Sequence, residues 1–482
     1  VLSTPRRMKC SLDRGKIVQI LAAASANLLS ILFGFVLSWT SPAITLLQSE
    51  ATPLESGPIS TNDVSLMTAL MYVGCVVGSL VAGWLANAVG RTRSLLILVA
   101  PQLCGFILIA TAKSALFLHI SRVFSGFSAG ACVVVFPIFV SEISDKSLRG
   151  VVGNFLGLGF NFGCLVGKCL TSYGGFYATP IAVFVIIGIF AVIFINLPDT
   201  PQYLLLCNRQ SDAEKSLKFY RGIPRKETMP NDVAEEFSEL KNSPSLMNQK
   251  ASLSLHDFKG GATILAIIIT FFLNGNQNFT GNRILISYTE SLLKDSGAQM
   301  DTAAMDVVVT LTQVLAAILS IPIVKICGYR RPLIYFYAIS CIFLVIAGIH
   351  FYIAECGFDV HNFGWIIVTS LAISVAIPGT GINSISFALP AEILPVKIRG
   401  TIISLTLVLS WILAFFSIQF YFSLANFWGH SLWMWIFATW CFFGVIITYL
   451  LVPETKGKNF DEIVKLLNKR IPKRWRESTD RD

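Results

Sequence analysis

The stretch Glu142-Ile-Ser-Asp-Lys-Ser-Leu-Arg149-Gly150 occurs twice in this chain, the second time as Glu392-Ile-Leu-Pro-Val-Lys-Ile-Arg399-Gly400. Each copy follows a long apolar run, and the spacing from glutamate to arginine is the same in both. A nine-residue pattern that recurs 250 residues later is the mark of an internal repeat.

Two further motifs repeat in the same order. Gly90-Arg-Thr-Arg93 corresponds to Gly328-Tyr-Arg-Arg331, and Pro198-Asp-Thr200 corresponds to Pro453-Glu-Thr455. Their copies are separated by 238 and 255 residues. Three matching pairs in one order predict two similar halves, and a parallel two-half repeat places a solute site between the halves.

Composition sets the class of protein. Of the 482 residues, 54% are hydrophobic and 13% are charged, whereas soluble domains carry about 25% charged residues. The chain is therefore an integral membrane protein. The eleven cysteines and five histidines show no spacing typical of a metal site or a disulfide framework, so we expect no metal and no cofactor.

With about 20 apolar residues per span, the sequence predicts an all-α membrane protein of twelve transmembrane helices. The predicted spans are 17–39, 63–88, 93–113, 117–140, 149–171, 179–197, 262–290, 303–326, 332–354, 363–391, 401–425 and 431–452. They give an N-terminal segment 1–16, a six-helix half 17–197, a linker 198–260 with short amphipathic helices, a six-helix half 261–452 and a tail 453–482.

The net charge of +9 has its explanation in topology. Basic residues cluster on alternate connections and at both ends of the chain, which by the positive-inside rule predicts that both termini are cytoplasmic. The partners expected from this pattern are the lipid bilayer of the cell membrane and a small solute, without nucleic acid and with a monomer as the working unit.

A run of polar residues, Asn274-Gly-Asn-Gln-Asn-Phe-Thr-Gly-Asn-Arg283, interrupts the seventh apolar span. Polar groups inside a membrane span must face protein or a water-filled cavity. Gly275 and Gly281 weaken the helix on either side of the amides, which favours a discontinuous span that exposes backbone to a ligand. The alternative is that the amides only bond neighbouring helices.

Glutamate and arginine side chains stand at the predicted cytoplasmic ends of both halves. We interpret them as a salt-bridge cluster that biases which of two conformations is populated; the alternative is that the arginines are only topological anchors. The predicted gating residues are Arg91, Arg93, Glu142, Arg149, Arg331, Glu392, Arg399 and Glu454.

These motifs resemble the sugar porter branch of the major facilitator superfamily. Ser38-Trp-Thr-Ser-Pro-Ala43 is similar to a phrase of insect trehalose-type carriers, and Gly83 to Arg91 is similar to the family's Gly-x-Leu-x-Asp-x-x-Gly-Arg, with Asn87 for the acid. Arg122 to Gly126 matches Arg-x-x-x-Gly, and Pro453 to Gly457 matches Pro-Glu-Thr-Lys-Gly in full. The resemblance covers essentially the whole chain and implies the two-half fold.

The resemblance also implies binding residues, although several depart from the family. Arg283 occupies the position of a family Asn, Ser410 stands where an Asn is expected, and Gly157 stands where a sugar-contacting Gln is expected. The candidate substrate-binding residues are Gln277, Asn278, Thr280, Arg283, Gln313, Asn383, Phe387 and Trp411.

The resulting hypothesis is a non-enzymatic uniporter that moves trehalose or a hexose by alternating access. The first predicted span contains no acid, and no carboxylate is evident in the apolar centre of any span, so the sequence favours passive facilitation over proton coupling. Two alternatives remain: a carrier of a different, anionic solute bound by Arg283, and a sensor that binds sugar without moving it. The tenth span lacks the family's prolines, which favours the sensor.

Overall fold

A computed structural model describes residues 5–145, 148–224, 227–242, 258, 260–297, 301–458 and 460–470. Within these ranges the side chains of residues 5–13, of Phe387 and of single positions elsewhere lie outside the description.

The N-terminal group of spans, residues 14–195, is built from nine helices. They run α1 Pro5–Ser38, α2 Thr40–Leu47, α3 Thr61–Val89, α4 Arg91–Ile97, α5 Val99–Ala110, α6 Ala115–Ile143, α7 Arg149–Gly153, α8 Phe155–Gly174 and α9 Ala178–Ile195. A capping box starts α3, since the Ser60 hydroxyl accepts from the Asp63 N–H while the Asp63 carboxylate accepts from the Ser60 N–H.

Three short helices follow in the connection: α10 Pro201–Leu206, α11 Gln210–Tyr220 and α12 Asn231–Lys241. They pack on one end of the N-terminal group, which we call the linker face. Gln19 Nε2 donates to the Tyr220 carbonyl at 3.1 Å and Arg221 Nη1 donates to the Ile143 carbonyl at 3.0 Å. The opposite face carries the connection after α2, where Ser56 N–H donates to the Lys113 carbonyl at 3.2 Å.

The C-terminal group, residues 261–451, begins with two helices on either side of Gly281. Its helices are α13 Gly261–Phe279, α14 Asn282–Asp295, α15 Thr302–Cys327, α16 Arg330–Glu355, α17 Gly364–Ile377, α18 Asn383–Ile393 and α19 Val396–Leu451, with a π-helical turn Pro378–Ile382 between α17 and α18. Gly429 (φ 78°) interrupts α19, and α20 Phe460–Arg470 follows.

Eleven helical segments of the described chain are long and apolar enough to cross a membrane. The sequence predicts twelve, and the difference lies in the stretch predicted as 363–391. There α17 is a shorter apolar helix that ends at Ile377. Pro378 follows and has no N–H to donate, so the regular helical ladder gives way to the π-helical turn.

The two groups share one buried apolar cluster, which includes Tyr72 of α3, Tyr288 of α14 and Trp411 of α19. Large apolar side chains such as Trp84, Val192 and Ile326 are exposed around the outside, as expected where lipid replaces water. Polar side chains lie between the two groups of helices, in the contact region that we call the seam.

Candidate solute site between the two groups of helices

The seventh apolar stretch is discontinuous at Gly281 and not at Gly275. Gly281 has φ 75°, and a Cβ there would lie 2.3 Å from Phe437 Cδ2. Only glycine fits such a left-handed, crowded position. The break turns α14 relative to α13, so Ile286, which a continuous helix would place away from the amides, lies with them.

A small cavity of about 30 Å³ opens beside this break. Leu37 and Phe160 of the N-terminal group line it together with Gln277, Asn282, Arg283, Ile286 and Asn383 of the C-terminal group. Such a volume holds a water molecule, whereas ligand pockets measure about 300–1,000 Å³. The conformation is therefore closed around its central cavity.

Two amides on this cavity have unmet hydrogen-bonding capacity. Gln277 and Asn282 are 5% and 4% exposed, and within the described part of the chain neither Gln277 Nε2 nor Asn282 Oδ1 has a hydrogen-bond partner. Leaving a buried donor or acceptor unpaired costs about 1–3 kcal/mol. A polar ligand would satisfy both groups.

Arg283 is held by aromatic faces and one amide. Its guanidinium carbon lies 4.4 Å from the Trp411 ring centroid and 5.5 Å from that of Tyr72, and Nε donates to Asn278 Oδ1 at 2.9 Å. No carboxylate of the described residues forms an ion pair with it.

Asn278 and Thr280 have their side chains engaged by protein. Asn278 Nδ2 donates to Ser410 Oγ at 2.9 Å, and Ser410 Oγ donates to the Asn274 carbonyl at 3.1 Å. Thr280 Oγ1 donates to the Gln277 carbonyl at 3.0 Å. These contacts fix the end of α13 against α19.

Gln313 bonds across the seam to an amide that sequence reasoning missed. Its Nε2 donates to Asn161 Oδ1 at 2.6 Å, and Asn161 Nδ2 donates to the Gly157 carbonyl at 2.8 Å. A Cβ at Gly157 would meet nothing within 4 Å, so space remains where the family has a side chain. The signal was available, because Asn161 lies one helical turn from Gly157 on the same face of α8.

Trp411 also joins the two groups. Its indole Nε1 donates to Ser79 Oγ at 3.1 Å, and its ring lies 6.0 Å from that of Tyr72.

Of the eight candidate binding residues, Gln277, Arg283 and Asn383 line the cavity, while Asn278, Thr280, Gln313 and Trp411 support its walls. The side chain of Phe387 lies outside the described residues.

A buried ion pair crosses the seam toward the opposite face. Lys168 Nζ of α8 donates to Asp306 Oδ1 of α15, and the two side chains are 1% and 0% exposed. Ser41 Oγ of α2 donates to Asp306 Oδ2 at 2.9 Å and accepts from the Glu290 N–H at 3.1 Å. Asp306 stands one turn inside α15 and Glu290 lies near the end of α14. The expectation concerns the apolar centre of a span, so these two acids near helix ends do not contradict it.

The predicted gating residues of the N-terminal group form a cluster on the linker face. Arg91 Nη2 and Glu142 Oε1 are 3.0 Å apart, and Thr200 Oγ1 donates to Glu142 Oε2. The Asp199 carboxylate accepts from the backbone N–H groups of Arg91 and Thr92 at 3.0 and 3.2 Å. Burial raises the pKa of Asp199, against the opposing effect of these hydrogen bonds.

The corresponding cluster of the C-terminal group has a tyrosine in place of the arginine. Tyr329 stands where the repeat places Arg91, and burial followed by the adjacent Glu392 carboxylate raises the pKa of Tyr329 to about 12. Arg399 Nη2 donates to the Leu394 carbonyl at 3.0 Å. Glu454 lies against Gly328, as Asp199 lies against Gly90.

The remaining predicted gating arginines take no part in these clusters. Arg93, Arg149 and Arg331 are exposed. Arg331 lines an open cavity of about 520 Å³ with Ile326, Cys327, Arg330, Glu454 and Lys456. Exposed basic groups at helix ends fit the topological reading of the sequence.

A family model described as sugar (and other) transporter matches residues 22–467. The chain belongs to the sugar transporter family. This is a family of transporters, so the chain is a membrane carrier by descent and not an enzyme.

Relatives of this sugar transporter chain include insect carriers. A facilitated trehalose transporter Tret1-2 homolog of Drosophila sechellia is 28% identical over 460 residues, covering 94% of this chain and 92% of the relative. The facilitated trehalose transporter Tret1 of Polypedilum vanderplanki is 26% identical over 455 residues, covering 94% and 88%.

The solved structures that resemble this sugar transporter chain support the fold. The inward open conformation of the xylose transporter XylE from E. coli has a TM-score of 0.74 at 20% identity, covering 93% of this chain and 99% of that one. The proton:xylose symporter XylE bound to 6-bromo-6-deoxy-D-glucose gives 0.73 at 20% identity, covering 93% and 98%. The chain therefore has the helical fold of the major facilitator superfamily.

Proposed function

We propose that this protein is a facilitative carrier that moves a sugar, trehalose or a hexose, across the membrane by alternating access. The observation that carries the proposal is the pair of unpartnered amides, Gln277 Nε2 and Asn282 Oδ1, on a cavity between the two groups of helices. Neutral donors and acceptors are what sugar hydroxyls require. Family membership and the names of the insect relatives support the same substrate class.

The proposed architecture has twelve spans in two pseudo-symmetric halves, 17–197 and 261–452, with the tenth span formed by α17, the π-helical turn and α18. Linker 198–260, segment 1–16 and tail 453–482 lie in the cytoplasm, which makes the linker face cytoplasmic. The protein works as a monomer in the cell membrane. Glu454 and Asp199, each against a glycine of positive φ in corresponding motifs, support the pseudo-symmetry.

In the proposed cycle the closed seam opens alternately toward each face. Lys168–Asp306 and Ser65 Oγ donating to the Gln419 carbonyl at 3.0 Å are contacts that hold the extracellular side closed. Arg91–Glu142 and Tyr329–Glu392 each lie within one group. We propose that these two clusters keep the cytoplasmic ends of each half rigid while the halves rock.

We propose passive facilitation rather than proton coupling. The described part of the first span contains no acid, and Asp306 is neutralised by Lys168. Glu290 remains as a buried acid in the seam, so the test must include a proton gradient. The sensor alternative loses its main support, because the π-helical turn at Pro378 supplies a bend in the tenth span.

The deciding experiment uses the purified full chain in proteoliposomes loaded with unlabelled trehalose or glucose. Entry of the labelled sugar by exchange is expected, at a rate that does not change when a pH gradient is imposed or collapsed. Binding without exchange would favour the sensor, and a rate that follows the pH gradient would replace facilitation by symport. Gln277→Ala is expected to slow exchange about tenfold, since one hydrogen bond to substrate contributes about 1 kcal/mol or more.

A further inference from the structure

Arg283 brings a positive charge to a cavity in which neutral sugars need none. The cavity carries the amides Gln277, Asn282 and Asn383 beside it. A neutral amide at this position would bind hydroxyls without the cost of burying a charge. The arginine must therefore be explained by the fold or by the solute.

Around Arg283 the described residues supply π-faces and an amide oxygen, and none of their carboxylates forms an ion pair with it. Trp411 and Tyr72 flank the guanidinium at 4.4 and 5.5 Å, and Asn278 accepts from Nε. Neutral groups of this kind orient a guanidinium and leave its charge uncompensated. An oriented guanidinium is suited to a carboxylate, which it binds through two parallel hydrogen bonds.

A second cation adds to the positive field. Arg122 is 1% exposed and donates to the Val36 carbonyl at 2.6 Å and to Thr40 Oγ1 at 2.9 Å. The buried acid Asp306 is engaged by Lys168 and Ser41. Neither arginine forms an ion pair with a carboxylate of the described residues, and in a region of low dielectric such charges attract an anion.

Arg122 and Arg283 differ in a way that separates a structural role from a binding role. Arg122 is fully buried, its two terminal nitrogens donate to protein, and it is not among the residues that line the cavity. Arg283 is only partly buried and lines the cavity. The charge that a solute meets is that of Arg283.

We propose that the preferred solute of this carrier is a sugar acid, a polyhydroxylated monoanion whose carboxylate binds Arg283 and whose hydroxyls bind Gln277, Asn282 and Asn383. The inference rests on the proposed carrier function and changes its preferred substrate from a neutral sugar to a sugar acid. Uniport of a monoanion moves one net charge per cycle, and uniport of a neutral sugar moves none. Membrane potential therefore distinguishes the two substrates without any mutation.

The first test uses the wild-type full chain in proteoliposomes with labelled glucuronate and, separately, labelled glucose. An inward potassium gradient with valinomycin makes the interior positive. Glucuronate is expected to accumulate, by about fiftyfold at equilibrium for about 100 mV, and to exchange faster than glucose. Glucose exchange without glucuronate uptake would overturn this proposal and leave the sugar carrier standing. Uptake of neither solute, nor of trehalose, would count against both.

The second test separates charge from packing with Arg283→Gln and Arg283→Lys. The glutamine variant is expected to lower the ratio of glucuronate exchange to glucose exchange roughly tenfold or more, because a charge-assisted pair is lost. The lysine variant, which keeps the charge, is expected to retain more glucuronate exchange than the glutamine variant. Equal loss of both substrates in both variants would make Arg283 a packing residue. If neither variant folds, the wild-type potential measurement decides.

Discussion

Gly90 and Gly328 occupy equivalent turns in which a side chain would collide with a neighbouring carboxylate. Their φ values are 104° and 77°, and a Cβ would lie 1.8 Å from Asp199 Oδ2 at Gly90 and 2.3 Å from Glu454 Oε1 at Gly328. With ψ near 180°, both lie in a region of backbone space that is essentially restricted to glycine. The two turns place an acid against the start of the following helix.

Gly90→Ala is expected to destabilise the protein by at least about 2 kcal/mol, from backbone strain of about 1–3 kcal/mol and the added clash. The measurement is the apparent unfolding temperature of the detergent-purified chain. The matched control is Gly83→Ala in α3, where a Cβ meets nothing within 4 Å and alanine is the better helix former by about 0.5–1 kcal/mol. If both variants have the same apparent unfolding temperature as the parent, the strain argument is wrong.

At the residue scale the sequence predicts the chemistry of the gating acids better than their partners. The repeat predicts that Glu142 and Glu392 are equivalent. The structure places the buried side chain of Glu142 against Arg91, and the half-buried Glu392 against Tyr329. The motif carries Arg91 in one copy and Tyr329 in the other, and the predicted gating residues include Arg331 of the second copy but not Tyr329. Which side chain meets an acid depends on the turn between helices, and that depends on the positive φ of a glycine.

At the element scale, the short helix α4 depends on Asp199 for the N–H groups at its start. The carboxylate accepts from Arg91 and Thr92, and its pKa is raised by burial. Because the fold disfavours the ionised form, Asp199→Asn, which keeps an acceptor oxygen, is expected to change stability by less than about 0.5 kcal/mol. Asp199→Ala removes the acceptor of three backbone N–H groups, those of Arg91, Thr92 and Thr200, and is expected to cost about 1–2 kcal/mol. The unfolding temperatures of the two variants check this ranking. An asparagine variant that unfolds at a lower temperature than the alanine variant would contradict the prediction.

The break between α13 and α14 is the element on which the cavity depends. Gly281→Ala is expected to abolish most solute exchange, because alanine resists the φ of 75° and its Cβ would press on Phe437. Gly275→Ala is the matched control, since its Cβ would make only an ordinary contact with Leu413 Cδ1 at 3.7 Å. Exchange in proteoliposomes is the measurement. Normal exchange by the Gly281 variant would show that the break is dispensable.

Hydropathy and glycine content predict where a span is weak, and packing decides which weak point breaks. The polar run contains two glycines, and of these only Gly281 lies where a Cβ would collide with a ring, that of Phe437. In the stretch 363–391 the sequence predicts one continuous span, whereas Pro378 lies where α17 ends. A proline with no N–H ends a helical ladder wherever it falls.

For the whole molecule, sequence periodicity predicts which stretches cross the membrane but not which of them meet. Lys168 and Asp306 are 138 residues apart, and each lies near the end of an apolar run, where a single charge reads as a boundary. Only the docking of α8 against α15 makes them a pair. The same holds for Asn161 and Gln313, which join the same two helices one or two turns deeper.

The Lys168–Asp306 pair leads to a prediction that separates stability from conformational preference. Lys168→Met or Asp306→Asn alone leaves an uncompensated buried charge and is expected to cost about 3–5 kcal/mol. The double variant removes both charges and is expected to recover most of that loss. The double variant nevertheless lacks the attraction between the two groups of helices. Its seam is therefore expected to open more often toward the face opposite the linker face.

Opening is measured by the labelling rate of a cysteine at Thr310, which is 1% exposed one turn from Asp306, with a water-soluble maleimide. The background labelling of the native cysteines is subtracted from a parent that retains Thr310. The matched control is Lys113→Met, which removes the exposed Lys113–Glu55 pair on the same face and is expected to change stability by less than about 1 kcal/mol. Single variants as stable as the control would mean that the pair does not close the seam. Faster labelling in the double variant at near-parent stability would identify the Lys168–Asp306 pair as the contact that holds the two groups together on the face opposite the linker face.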